Sequence, residues 1–233
     1  MRGAGPGADP EIPHLVRERL RALGDPERAV AQQRYLKTDQ PILGVTRPAF
    51  KIAMREIAKE RPPADRKAWE RDVAALWEGP ERDLRWAAVT WARAFRRRRF
   101  VDLATAPLWE RMVREGAWWD HVDEIAVKVV GQLVADERRA MRPVLLRWIE
   151  DPDLWVRRTA ILAQHDHREA TDVHLLLDFC RRQASEKSFW IRKAIGWALR
   201  QHAKTDPDVV RAFLAEQGER LSGLSRREAG RHL

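Results

Sequence analysis

An aspartate–proline–carboxylate triplet occurs three times in this chain, as Asp25-Pro26-Glu27, Asp151-Pro152-Asp153 and Asp206-Pro207-Asp208. Each copy sets an acceptor at a helix N-cap and proline in the first helical position, where an N–H would be unsatisfied anyway. A carboxylate then falls in the first turn beside the helix dipole. Ser225-Arg226-Arg227-Glu228 reads as a capping box for a last helix. No stretch of apolar–polar alternation persists, so the chain is held to an all-α fold. Helical spacing of apolar residues predicts helices over 11–23, 26–38, 47–60, 65–77, 81–99, 103–115, 118–135, 137–149, 152–165, 170–184, 187–204, 207–217 and 225–232. Residues 1–10 carry Gly and Pro without an apolar run; they read as a disordered tail, not a signal peptide. Residues 11–233 read as a single domain.

Short connections between such segments favour antiparallel helix pairs. Asp153-Leu-Trp-Val-Arg-Arg-Thr-Ala-Ile-Leu162 partly repeats in Lys187-Ser-Phe-Trp-Ile-Arg-Lys-Ala-Ile-Gly196, and Trp86-Ala-Ala-Val-Thr-Trp91 is a fainter third copy. Aligning Trp155 with Trp190 gives a period of about 35 residues, within the range of helical repeats. The expectation is a stacked α-α solenoid whose concave face suits a long ligand. Lys and Arg total 44 against 35 Asp and Glu, a net charge of +9, which points to a polyanion whose counterions are released on binding. The lone cysteine, Cys180, excludes an intrachain disulfide framework and a cysteine-rich zinc site, and is compatible with a reducing cytoplasm. No apolar run is long enough to span a membrane.

Chemistry concentrates in two segments. In Trp118-Trp119-Asp120-His121-Val122-Asp123, residues 119 and 123 fall one turn apart on one helix face, an aromatic surface beside a carboxylate and so a site for a cation. Trp118, Val122, Ile125, Ala126 and Val129 form the buried side. Asp120 reads as a capping or solvated first-turn residue; for Asp123 the bland alternative is a salt bridge to an arginine of an adjacent helix. The helix over 187–204 buries Ile191, Ala194, Ile195, Ala198 and Leu199 and sets Lys193, Trp197, Arg200 and Lys204 on another face. Two readings of that row stand: cations on phosphates with Trp197 packed on a sugar or base, or Trp197 wedged between helices among solvated cations. The Arg96–Arg99 run reads as ordinary stabilisation of a helix C-terminus, and His165-Asp166-His167 lacks the spacing of a metal ligand pair, so no metal site is assigned.

Three motifs together carry a resemblance: Trp118-Trp119-Asp120-x-Val-Asp123, Trp155-x-x-Arg158-x-Ala-Ile161, and Lys193-Ala-Ile-Gly-Trp197-x-Leu-Arg200 with Lys204. Across residues 11–233 the chain resembles the AlkD-type DNA alkylation-repair glycosylases, built from HEAT-like repeats. Arg34-Tyr35-Leu36-Lys37 and Gly44-Val45-Thr46-Arg47-Pro48 resemble that family's N-terminal motif. The resemblance implies a right-handed α-α superhelix with a basic concave face on duplex DNA. It implies excision of cationic N3- or N7-alkylated purines by a cofactor-free monomer that needs no base-flipping pocket. It places the catalytic carboxylate on Asp123, the catalytic tryptophans on Trp119 and Trp197, and the phosphate-positioning arginine on Arg158. Lys193, Arg200, Lys204, Tyr35, Lys37 and Arg47 become DNA contacts. One departure stands out: family members often carry a phenylalanine where this chain has Thr38-Asp39-Gln40-Pro41-Ile42-Leu43.

Overall fold

A computed structural model of the protein describes residues 11–95 and 100–233. The N-terminal tail and the Arg96–Arg99 run lie outside the described residues. Every regular element among those residues is helical, and none of the helices is long and apolar enough to cross a membrane. The contacts group into two compact units that divide between Val101 and Asp102, within the span the sequence suggests as one domain.

The first unit holds α1 (Glu11–Arg21), α2 (Pro26–Leu36), α3 (Arg47–Glu60), α4 (Arg66–Trp77) and α5 (Arg82–Ala94). Val16, Leu20, Ile57, Trp69, Leu76, Trp77 and Trp91 fill its core. The local rules hold at three starts: Asp25 accepts from the Arg28 amide, Thr46 from Ala49 and Asp65 from Ala68. Segment 38–43 is an ordered strap. The Leu43 amide donates to Asp83 at 2.8 Å, the Arg82 amide to Pro41 O at 2.8 Å, and Arg82 Nη1 to Gln40 Oε1 at 3.2 Å. Gly44 ends the strap at φ +77°, where an added Cβ would lie 2.0 Å from Asp25 O, so only glycine fits there.

The second unit runs through α6 (Ala106–Gly116), α7 (Trp119–Glu124), α8 (Gly131–Asp136), α9 (Arg138–Trp148), α10 (Leu154–Leu162), α11 (Val173–Arg182), α12 (Phe189–His202), α13 (Pro207–Gln217) and α14 (Gly223–Ala229). Trp155 and Trp190 are each the second residue of their helices, and their rings touch at 5.4 Å. Arginine–carboxylate bonds tie successive repeats: Arg114–Asp151, Arg142–Asp172, Arg157–Glu186 and Arg181–Glu216, at separations of 29 to 37 residues. That is the stacking of a helical-repeat array, in which each repeat contacts its neighbours.

Two cap assignments are corrected. The cap of α10 is Asp153, which accepts from the Trp155 amide at 2.7 Å, and not Asp151. Arg114 takes both Asp151 oxygens at 2.9 and 2.6 Å, so the start moves two residues on. The cap of α14 is Ser222, not Ser225. Ser225 donates to Arg192 O at 2.9 Å instead, and Glu228 is held by cations.

The helix expected over 118–135 is continuous but not uniform: Ile125–Val130 is a π-helical turn between α7 and α8. Ile125, Ala126, Val127, Val129 and Val130 are all buried, so an α-helical face gives way here to burial on nearly every side. A Cβ on Gly131 would lie 2.8 Å from Ala163 O, which marks how closely the end of α10 approaches. His167 Nε2 lies 2.8 Å from Gly131 O, so that nitrogen carries a proton and donates to a carbonyl in the widened stretch.

Candidate active site and nucleic-acid interface

The turn into α7 is tight. Ala117 sits at φ +29°, a strained conformation for a residue with a Cβ. Trp118 follows in extended conformation, and its ring meets Trp190 edge-on at 5.2 Å and Trp155 at 6.0 Å. This cluster anchors the corner, as expected for a structural Trp118. It fixes Trp119 as the first residue of α7 and Asp123 one turn later. Asp120 is largely buried near the His121 ring, so it is not the solvated residue its position in the first turn suggests.

Asp123 meets Arg158 of α10 in a two-pronged pair, Nε to Oδ1 at 2.7 Å and Nη2 to Oδ2 at 2.8 Å. The third arm of the guanidinium, Nη1, donates to Trp190 O at 2.5 Å, and the Trp190 ring lies 5.8 Å from Arg158 Cζ. The Arg158 side chain is 3% exposed and that of Asp123 15%. The arginine expected to position phosphate is therefore turned inward onto the carboxylate. The salt bridge that the sequence offers as the bland account of Asp123 is present, and it joins two of the implied site residues. Burial pushes the Asp123 carboxyl above its ordinary range, while Arg158 pulls it back. Two-pronged contact leaves the outer lone pairs of both oxygens able to accept further bonds.

On α12 the predicted apolar stripe is buried, and Trp197 is half-buried against His165, ring centroids 4.3 Å apart. The basic row is not simply solvated. Glu228 of α14, 4% exposed, receives Lys193 at 2.8 Å, Arg200 at 2.9 Å and Arg231 at 3.0 Å. Those cations hold its carboxyl below the usual range. Lys204 is exposed and donates to Gln201. Gly196 lets α14 approach, since a Cβ there would lie 2.5 Å from Glu228 Cβ.

In the first unit, Tyr35 stands out from α2 at 73% exposure, Lys37 closes that helix in left-handed conformation, and Arg47 is the exposed first residue of α3. Within the second unit the structure brings Asp123 to Arg158, and Lys193 to Arg200. Glu228, Arg231 and His165 join them without any signal in the site motifs; only an inventory of buried charge would have raised the first, and His165 stood out only as a metal candidate. His165 and His167 turn to different partners, and among the described residues no three His, Cys, Asp or Glu side chains gather as a metal site.

An all-helical repeat array with a buried aspartate–arginine pair beside tryptophans defines a class of helical-repeat proteins. A family model described as "DNA alkylation repair enzyme" matches residues 16–233, and the chain belongs to that family. Its partner is accordingly DNA, and its role lies in the repair of alkylated DNA. A solved structure, "Predicted DNA alkylation repair enzyme from Enterococcus faecalis", is similar at 27% identity and a TM-score of 0.83, with 90% of this chain and 96% of that one covered. No curated protein matches the chain.

Proposed function

We propose that the protein is a monofunctional DNA glycosylase, a cytoplasmic monomer that hydrolyses the N-glycosidic bond of cationic N3- or N7-alkylated purines in duplex DNA. The observation that carries this reading is the Asp123–Arg158 pair, a carboxylate held two-pronged by a guanidinium in a largely buried position one turn from Trp119. As the bond from C1′ to the base nitrogen breaks, its electron pair neutralises the positive purine, and positive charge develops on the deoxyribose. Asp123 stabilises that charge and accepts from the attacking water through its unused lone pairs. The water oxygen bonds C1′ and its proton passes to solvent. Trp119 and Trp197 offer ring faces to the cationic sugar. The base leaves neutral, so no strong general acid is required.

Arg158 orients the carboxylate. Lys193, Arg200 and Lys204, with Tyr35, Lys37 and Arg47, supply backbone contacts. Asp123→Asn is expected to keep duplex binding while lowering release of 7-methylguanine by about a hundredfold, the size of loss seen when one electrostatic stabiliser is removed. Equal release by variant and wild type would refute the assignment. It would favour a second reading, a non-catalytic protein that binds damaged duplex and uses Asp123–Arg158 only as a strut.

A further inference from the structure

His165 is the one imidazole of the His165-Asp166-His167 segment that reaches a proposed catalytic side chain. It follows α10 and lies with its ring 4.3 Å from that of Trp197, at 57°. Nδ1 is 2.9 Å from Asp166 Oδ1, and Asp166 in turn pairs with Lys128 of the π-helical turn. The chain Lys128–Asp166–His165–Trp197 thus runs from the segment below Asp123 to the second tryptophan. The His165 side chain is 9% exposed, and its Nε2 has no hydrogen-bond partner among the described residues. A carboxylate on Nδ1 fixes the neutral tautomer with the proton on Nδ1 and a lone pair on Nε2.

We infer that His165 is a positioning residue for Trp197: the neutral imidazole, fixed by Asp166, sets the angle of the indole that meets the sugar. The inference rests on the glycosylase reading for its catalytic consequence, though not for the contact itself. Burial pushes the imidazole below the ordinary histidine range, which favours its neutral form. Asp166 works against that shift, while Lys128 and Lys204 add to it. Asp123 is also within electrostatic reach. A small cavity of about 10 Å³, walled by His165, Gln164, Gln201 and His202 among others, lies beside the ring. Protonation would put a cation against the face of Trp197 and beside the developing sugar cation, where like charge opposes the reaction.

The test compares wild type with His165→Phe and His165→Ala, using single-turnover release of 7-methylguanine from duplex between acid and alkaline pH. His165→Phe keeps a ring against Trp197. It should hold the alkaline rate to within about threefold, and sustain that rate to lower pH than wild type does. His165→Ala should slow the step about tenfold without changing duplex affinity, the signature of lost orientation rather than lost binding. A readout independent of activity is the indole N–H resonance of Trp197, identified by its loss in Trp197→Phe. It should shift with pH in wild type, with a midpoint below the ordinary histidine value, and stay fixed in His165→Phe. Where wild type releases base, an alanine rate equal to it at every pH overturns the proposal, and so does a Trp197 resonance that does not titrate. If no variant and no wild-type protein releases base while the resonance titrates with His165, the positioning of Trp197 stands and the glycosylase reading alone falls.

Discussion

Replacing Arg158 by methionine keeps much of its volume and removes its charge. The guanidinium is 3% exposed and makes three bonds, two to Asp123 and one to Trp190 O. Removing one member of a buried ion pair leaves the other uncompensated, a loss of about 3–5 kcal/mol. For a chain of this length the lower figure corresponds to a fall in melting temperature of roughly 6–12 °C. The loss has a pH signature. Burial already raises the Asp123 carboxyl, and removing Arg158 takes away the strongest influence that pulls it back, leaving only the weaker one of His165. A carboxyl whose folded pKa exceeds its unfolded value favours the folded state most below the unfolded value. That advantage is lost as pH rises through the folded value. The variant should therefore be most destabilised at alkaline pH and recover toward wild type as pH falls. Thermal melts of both proteins at several pH values measure it. A melting temperature within about one degree of wild type, or a deficit that does not vary with pH, would refute the view that the carboxylate is the main partner of Arg158.

Two further outcomes follow from α14. Glu228→Gln releases Lys193, Arg200 and Arg231 from a shared buried carboxylate and adds one unit of net positive charge, so undamaged duplex should bind more tightly at low salt. Fluorescence anisotropy across a salt series should show the slope of log affinity against log salt steepened by about one. Gly196→Ala would press a methyl to 2.5 Å from Glu228 Cβ and 3.0 Å from Ser225 O, and is expected to cost about 1–3 kcal/mol in urea denaturation, as overpacking does.

The helices were legible because their signals are local. Asp25 with Pro26, and Asp206 with Pro207, cap as read, since nothing distant competes for those carboxylates. Asp151 failed as a cap because Arg114, far back in the chain, claims it. The same limit applies to the site. Spacing alone puts Trp119 and Asp123 on one face of α7, but that Arg158 would be spent on Asp123 rather than turned to solvent depends on how α10 meets α7. The cations of α12 form a row in sequence, whereas their shared counter-charge lies on α14, roughly thirty residues on, where its spacing suggested only a capping box. The π-helical turn could not be read because Lys128 alone interrupts the apolar run Ile125–Val130, too little to betray its phase.

That turn has a consequence for how such a protein can change over time. An α-helix turns its face about 100° per residue, and a π-helical turn absorbs one extra residue without breaking the helix. The stretch Ile125–Val130 thus holds an extra residue within the helix rather than expelling it as a loop. On its N-terminal side the face carries Trp119 and Asp123; on its C-terminal side the phase belongs to the packing of α8. Each half can accept substitutions suited to its own task, and the helix works as a coupling between two registers rather than as a single rod.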